Sequence, residues 1–271
     1  MYKRYCFIAL VLLAPGFALA QAPETELVND KFYFRVGGQA FTRFRTRVRI
    51  DSETLGQGTE ITLEDATDME EKITIARLDG VYRFTDKHSM GFSYYDIDRT
   101  GSAILDEEIT WDGEVFPVDI TVESLFRQEV FELSYAYTFL LRPKGVMAAT
   151  VGLHTMRFTT GLRELGGDRE RTNSTEAPLP SLGIRGQYRL GEKWRFVGKI
   201  NWLDVTVGNY SGTFADMLLT VEHDTWDRVG LGFGINSFGL DVESGDADLK
   251  GRLDVNFDSF VVYFKGHFGR D

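Results

Sequence analysis

From Phe32 to Ile50 the chain alternates apolar and polar positions without a proline or a break. One parity carries Phe32, Phe34, Val36, Ala40, Phe44, Val48 and Ile50; the other carries Tyr33, Arg35, Gln39, Arg43, Arg45, Arg47 and Arg49. Successive side chains of a strand point to opposite faces, so the pattern predicts a two-faced strand with an arginine ladder along one side. It far exceeds the usual strand of roughly 5–6 residues. A soluble sheet turns its apolar face to a core and its arginines to water. A membrane barrel turns the apolar face to lipid and the charges to its lumen.

The same period recurs along the chain. Further strands are predicted near 73–84, 89–99, 118–141, 146–162, 182–190, 194–202, 215–222, 229–236 and 253–268. In 118–141 the lower part sets Phe131, Leu133, Tyr135, Tyr137 and Phe139 against Glu132, Ser134, Ala136 and Thr138. That length matches the roughly 9–11 residues a tilted strand needs to cross a bilayer. Long connections (51–72, 100–117, 163–181) alternate with turns at 85–88, 142–145 and 191–193. Segregation of loop length by end is expected of an outer-membrane barrel, with short periplasmic turns and longer outer loops. The fold class predicted is all-β: one transmembrane, antiparallel, up-and-down barrel of about ten strands, with eight or twelve also compatible. The phase of 89–99 is ambiguous, because Asp96 and Asp98 share parity with Met90, Phe92 and Tyr94. A bulge or a reversed facing resolves it.

The first twenty residues read as a secretory signal, with Lys3 and Arg4, the apolar run 6–14, and Ala18-Leu19-Ala20 before Gln21. Residues 21–30 form a periplasmic lead-in, 31–268 the barrel and 269–271 a tail. Cys6 is the only cysteine, so the exported chain relies on its sheet rather than on disulfides. Twenty-eight glycines, 21 phenylalanines and 11 tyrosines against 6 prolines suit a strand-rich protein. A net charge of −11 argues against nucleic acid as a partner.

The last strand puts Phe260, Val262, Phe264, Gly266 and Phe268 on one face and Ser259, Tyr263, Lys265 and His267 on the other. With the signal segment and the alternating strands, this resembles the small outer-membrane β-barrel proteins of Gram-negative bacteria, a porin-like superfamily. Members commonly end on an aromatic that the barrel-assembly machinery recognises; here Gly269-Arg270-Asp271 follows Phe268. The resemblance implies an outer-membrane location, with membrane lipid and lipopolysaccharide as surroundings and the assembly machinery as a partner in biogenesis.

The inward face assigned by this reading carries a charge network: Arg43, Arg45, Arg47, Arg49, Arg77, Asp79, Arg83, Glu132, Arg185 and Arg189. Buried guanidinium needs carboxylate partners. A plugging network is therefore favoured over an anion-attracting pore lining in so narrow a barrel. Phe34, Phe44, Leu78, Tyr82, Leu133, Tyr135, Tyr137 and Phe139 are expected to face lipid. A hydrolase is the competing class, since Asp96-Ile97-Asp98 and His223-Asp224 offer acid and base. The predicted topology puts these pairs at opposite ends, out of the reach a general base requires. The four histidines are scattered and no calcium-loop spacing is present, so no catalytic, cofactor or metal site is expected. Gly230, Gly232 and Gly234 alternate inside a strand, which suits close packing of lumen groups rather than a phosphate cradle. The function expected is a non-enzymatic barrel serving envelope structure, surface interaction or restricted small-solute passage. The alternatives are an outer-membrane hydrolase and a soluble periplasmic barrel binding an apolar ligand.

Overall fold

The computed structural model describes residues 30–52, 56–207, 210–246 and 249–269. The expected signal segment, most of the expected lead-in and the last two residues lie outside them. The elements are β1 (Phe32–Ile50), β2 (Ile61–Thr62), α1 (Leu63–Thr67), β3 (Thr74–Arg83), β4 (His88–Ile104), β5 (Ile109–Trp111) and β6 (Glu114–Phe116). They continue as β7 (Thr121–Arg142), β8 (Gly145–Glu164), β9 (Glu170–Arg189), β10 (Trp194–Val207), β11 (Tyr210–His223), β12 (Val229–Asp246) and β13 (Leu249–Phe268). Ten of the strands pair antiparallel in the order β1-β3-β4-β7-β8-β9-β10-β11-β12-β13, and β13 returns to β1 from Phe32↔Phe268 to Ile50↔Gly251. This is the closed antiparallel barrel that the alternation predicts.

Loop length is less asymmetric than the sequence suggests, because the strands themselves run past the apolar band. The expected third long loop is instead the hairpin of β8 and β9, paired as far as Arg163↔Glu170. Pro178 and Pro180 lie in the upper part of β9, whose pairing with β10 ends at Trp202↔Leu182. A proline nitrogen cannot donate to a ladder, so these residues are tolerated where the neighbouring strand has parted. The two long connections fold inward. β2, α1 and the turn after it pack Ile61, Leu63 and Met69 into the barrel, and the β5–β6 hairpin packs Ile109, Trp111 and Phe116 there.

The wall has two storeys. At the short-turn end, outward positions are apolar: Phe131, Leu133, Tyr135 and Phe139 on β7, Leu231 and Phe233 on β12, and Phe260, Val262 and Phe264 on β13 are all exposed. Farther up the same strands the outward positions become charged. Asp96, Glu129, Arg157 and Glu176 are lateral neighbours across β4, β7, β8 and β9, one outward step above Tyr94 and Phe131. The inward side changes in the opposite sense, from Ser259, Tyr263 and Lys265 to Phe257, Val255 and Leu253 along β13. This resolves the phase of β4, which has no register shift. Met90 through Asp98 keep one facing while the surroundings change.

β1 alone among the strands at this level breaks its register with β13, between Phe41 and Arg43. The extra residue flips the facing of all that follows. Phe41 and Phe44 therefore both point inward, 3% and 0% exposed. The expected lipid contact of Phe44 is thus corrected to a core position. Leu78, Tyr82, Leu133, Tyr135, Tyr137 and Phe139 do lie on the exposed apolar band.

Candidate functional site: the charged lumen and its aromatic lid

The arginine ladder divides at the bulge. Arg35, below it, points inward and bonds Glu222 at 2.8 Å. Arg43, Arg45, Arg47 and Arg49 lie on the outer wall above the apolar band, contrary to the lumen position expected of them. Arg43 meets Asp258 at 2.7 Å, Arg45 meets Asp65 at 2.6 Å, Arg47 meets Asp254 at 3.0 Å and Arg49 meets Asp51 at 3.0 Å. The Arg43 and Arg45 pairs are solvated and stabilise little individually, whereas Arg49 with Asp51, and Asp254 beneath Arg47, are largely covered. The remaining expected residues, Arg77, Asp79, Arg83, Glu132, Arg185 and Arg189, share the inward parity of their strands.

Inside the lower storey two ionic clusters form. Nearest the short turns, Glu222 collects Arg35, Lys265 at 3.2 Å, Arg195 at 3.8 Å and the Tyr263 hydroxyl, which donates at 2.9 Å. Arg195 also pairs with Asp224, and His267 lies 3.2 Å from Asp30. Gly232 makes this possible, since a Cβ there would stand 2.3 Å from the Tyr263 ring. Above it, Lys199 sits 2.6 Å from Glu132 and 3.5 Å from Asp216. Asn201 donates to Glu132, Asn236 donates to Asp216, and Arg77 donates to Gln39 and Asp79. Low dielectric makes unpaired groups costly, so a network of this kind persists only when nearly every member is satisfied.

Glu132, His154 and Asp216 bring ligand-type atoms within 4.8 Å of one another. The Lys199 ammonium already lies between the two carboxylates, where a metal ion would bind. The cluster is an ammonium-centred ion network, with His154 Nε2 3.4 Å from the Glu132 carboxylate.

A sheet of rings closes the lumen above these clusters. Phe126 of β7 lies 6.0 Å from Phe44, Phe44 5.2 Å from Phe257, Phe257 4.7 Å from Phe238, Phe238 5.6 Å from Phe214, and Phe214 4.7 Å from His154. These rings come from six different strands and span the interior. Over them sit the inward-folded connections, with Trp111 and Phe116 at 0% exposure. The sequence pattern could have yielded Glu222, Asp216, Lys199 and Lys265, each opposite an apolar parity. The lid was hidden because its rings belong to strand segments above the membrane-like band.

The hydrolase candidates do not converge. Asp96 and Asp98 face outward, where Asp98 pairs with Arg127 at 2.6 Å. His223 is the last residue of β11 at the short-turn end and lies 3.0 Å from the Thr225 hydroxyl.

No protein-family model matches the sequence, and no curated protein matches it. Solved structures do. The outer membrane protease OmpT of Escherichia coli superposes over 89% of this chain and 97% of its own with a TM-score of 0.59, at 12% identity. The chain has the fold of outer-membrane β-barrel proteins. The toluene transporter TodX of Pseudomonas putida covers 89% of this chain and 91% of its own at 9% identity and a TM-score of 0.36. OprG of Pseudomonas aeruginosa covers 88% and 97% at 11% identity and 0.26. At these identities the likeness to OmpT extends to the fold and carries no activity.

Proposed function

We propose that this chain is a non-enzymatic protein of the outer membrane, exported by its signal segment, whose sealed barrel serves envelope structure and surface interaction rather than solute passage. The observation that carries the reading is the double closure: an ion network in the lower lumen beneath a lid in which Phe44, Phe126 and Trp111 have no exposure. A hydrated ion would have to displace both layers. The exposed apolar band supports residence in lipid over a soluble periplasmic barrel, which would leave Phe260, Val262 and Phe264 in water. The charged wall above the band is suited to meet lipopolysaccharide and partners at the cell surface.

Planar-bilayer recording tests this. The refolded protein is expected to give no conductance steps; stepwise conductance in the wild type would overturn the sealed reading. Peptide and lipid hydrolysis assays on the same preparation test the competing class, and turnover abolished by Asp98→Asn would favour a hydrolase.

A further inference from the structure

Five cations of the lower lumen have a carboxylate partner: Arg35 with Glu222, Arg77 with Asp79, Arg195 with Asp224, Lys199 with Glu132 and Lys265 with Glu222. Among the described residues, Arg83 and Arg185 have no carboxylate in ion-pair reach. Arg83 is the last residue of β3, 5% exposed, and its Nε has no hydrogen-bond partner. Arg185 reaches across the lumen from β9, and its Nη2 donates to the Ser89 hydroxyl at 2.8 Å. Ser89 is the register partner of Arg83 on β4, so Arg185 reaches the strand position beside Arg83 at one corner of the short-turn mouth. Tyr33 stands beside that corner on β1, opposite Val81 of β3. Its hydroxyl is buried, at 2% residue exposure, and also has no partner. Asp30, at the start of the described residues, is engaged by His267 and Lys265.

We propose that Arg83 and Arg185 form a binding site for a small phosphate-class oxyanion, entered from the short-turn mouth. An uncompensated guanidinium in a low-dielectric interior is unfavourable, and so is a buried donor without an acceptor. Phosphate answers both. Its oxygens accept the planar fork of arginine in bidentate fashion and leave others for the Tyr33 and Ser89 hydroxyls. Glu222, Glu132 and Asp79 each lie against cations of their own, and no carboxylate among the described residues forms an ion pair with Arg83 or Arg185. It lies beside the lower ionic cluster, whose Arg35 and Lys265 stand over the Tyr33 ring, and below the aromatic lid, and its occupancy does not depend on whether the barrel conducts.

The test uses the refolded mature chain in an uncharged detergent and a phosphate-free buffer. The heat midpoint of the gel-mobility shift is followed while inorganic phosphate is titrated, with chloride at matched ionic strength as the reference. Phosphate is expected to raise the midpoint saturably where chloride does not. Arg83→Gln and Arg185→Gln should each weaken the apparent affinity about ten- to hundredfold, while Arg157→Gln on the outer wall leaves it unchanged. Arg83→Lys should retain part of the response, which separates loss of the site from loss of folding. A short-chain phosphatidylglycerol arm distinguishes the sources: competition with phosphate assigns a lipid headgroup, and no competition assigns the free anion. Identical responses to phosphate and chloride, or a phosphate response that survives both glutamine substitutions, would overturn the site.

Discussion

The guanidinium of Arg99 meets the carboxylate of Glu64 at 2.7 Å with both side chains almost wholly buried. Arg99 belongs to β4, stacks its guanidinium 4.0 Å over the Phe44 ring, and donates also to Thr46 and to the Glu70 carbonyl. Glu64 belongs to α1, and its second oxygen accepts the Thr46 backbone amide at 2.8 Å. The pair thus fixes the first inward-folded connection to the lid. It also supplies a partner to β1 backbone above the end of its pairing with β3.

Removing one member leaves the other charged and buried. Glu64→Gln is expected to destabilise the protein by about 3–5 kcal/mol. The double variant Glu64→Leu/Arg99→Met should recover most of that loss, since paired apolar replacement is often neutral. Urea midpoints of the three variants, with limited proteolysis within 51–73, check this. A double variant as unstable as the single one would contradict the assignment.

Outward positions on β13 should respond to charge according to height. Val262→Arg lies on the apolar band and is expected to cost about 2–4 kcal/mol, as arginine does near a bilayer midplane. Asn256→Arg keeps the same facing six residues nearer the outer end and should stay within about 0.5 kcal/mol. Folding equilibria in lipid vesicles measure both. Equal costs would remove the two-storey description.

Gly232 leaves space for Tyr263, whose hydroxyl bonds Thr220 and Glu222. Gly232→Val should cost about 1–3 kcal/mol through overpacking. The paired variant Gly232→Val/Tyr263→Ala should be less destabilised than the two single costs added together. Strict additivity would show that the ring and the glycine do not share this space.

On the outer wall Asp254 faces Asp241 across β12 and β13. Burial and the Asp241 charge push the Asp254 carboxyl up from its usual range, against the pull of Arg47 and Arg252. A carboxyl raised on folding holds its proton more tightly in the native state. Its contribution to stability is greatest below the unfolded value and is lost as pH rises through the raised native one. Asp254→Asn should flatten that part of the stability profile. Urea midpoints across the acidic range would show it, and parallel profiles for the two proteins would refute it.

The barrel, its strand number and its exposed band were legible because period-two patterning survives wherever lipid and lumen differ in polarity. The facing of the arginine ladder was not legible, and the reason is physical. An alternation that continues unbroken from Phe32 to Ile50 reads as one environment, yet β1 crosses two. The bulge between Phe41 and Arg43 reverses the facing at the level where the surroundings reverse, so the two changes cancel in the sequence. β13 has no bulge and shows its transition openly, as apolar Leu253, Val255 and Phe257 give way to Phe260, Val262 and Phe264 on the other parity. β4 does the same between Tyr94 and Asp96. The ionic clusters were only partly visible, since Glu222 and Lys265 lie on strands far apart in sequence that closure alone brings together.

Spin-label accessibility tests the two-storey wall most directly, and the only cysteine of the sequence, Cys6, lies outside the described residues, so a Cys6→Ser background serves for labelling. Single labels at Arg45, Asn256 and Val262 are compared for collision with oxygen, which concentrates in lipid, and with a water-soluble nickel chelate. The label at Val262 should meet oxygen, and those at Arg45 and Asn256 should meet nickel. A label at Arg45 shielded from both reagents would put the upper arginines back in the lumen and contradict the account.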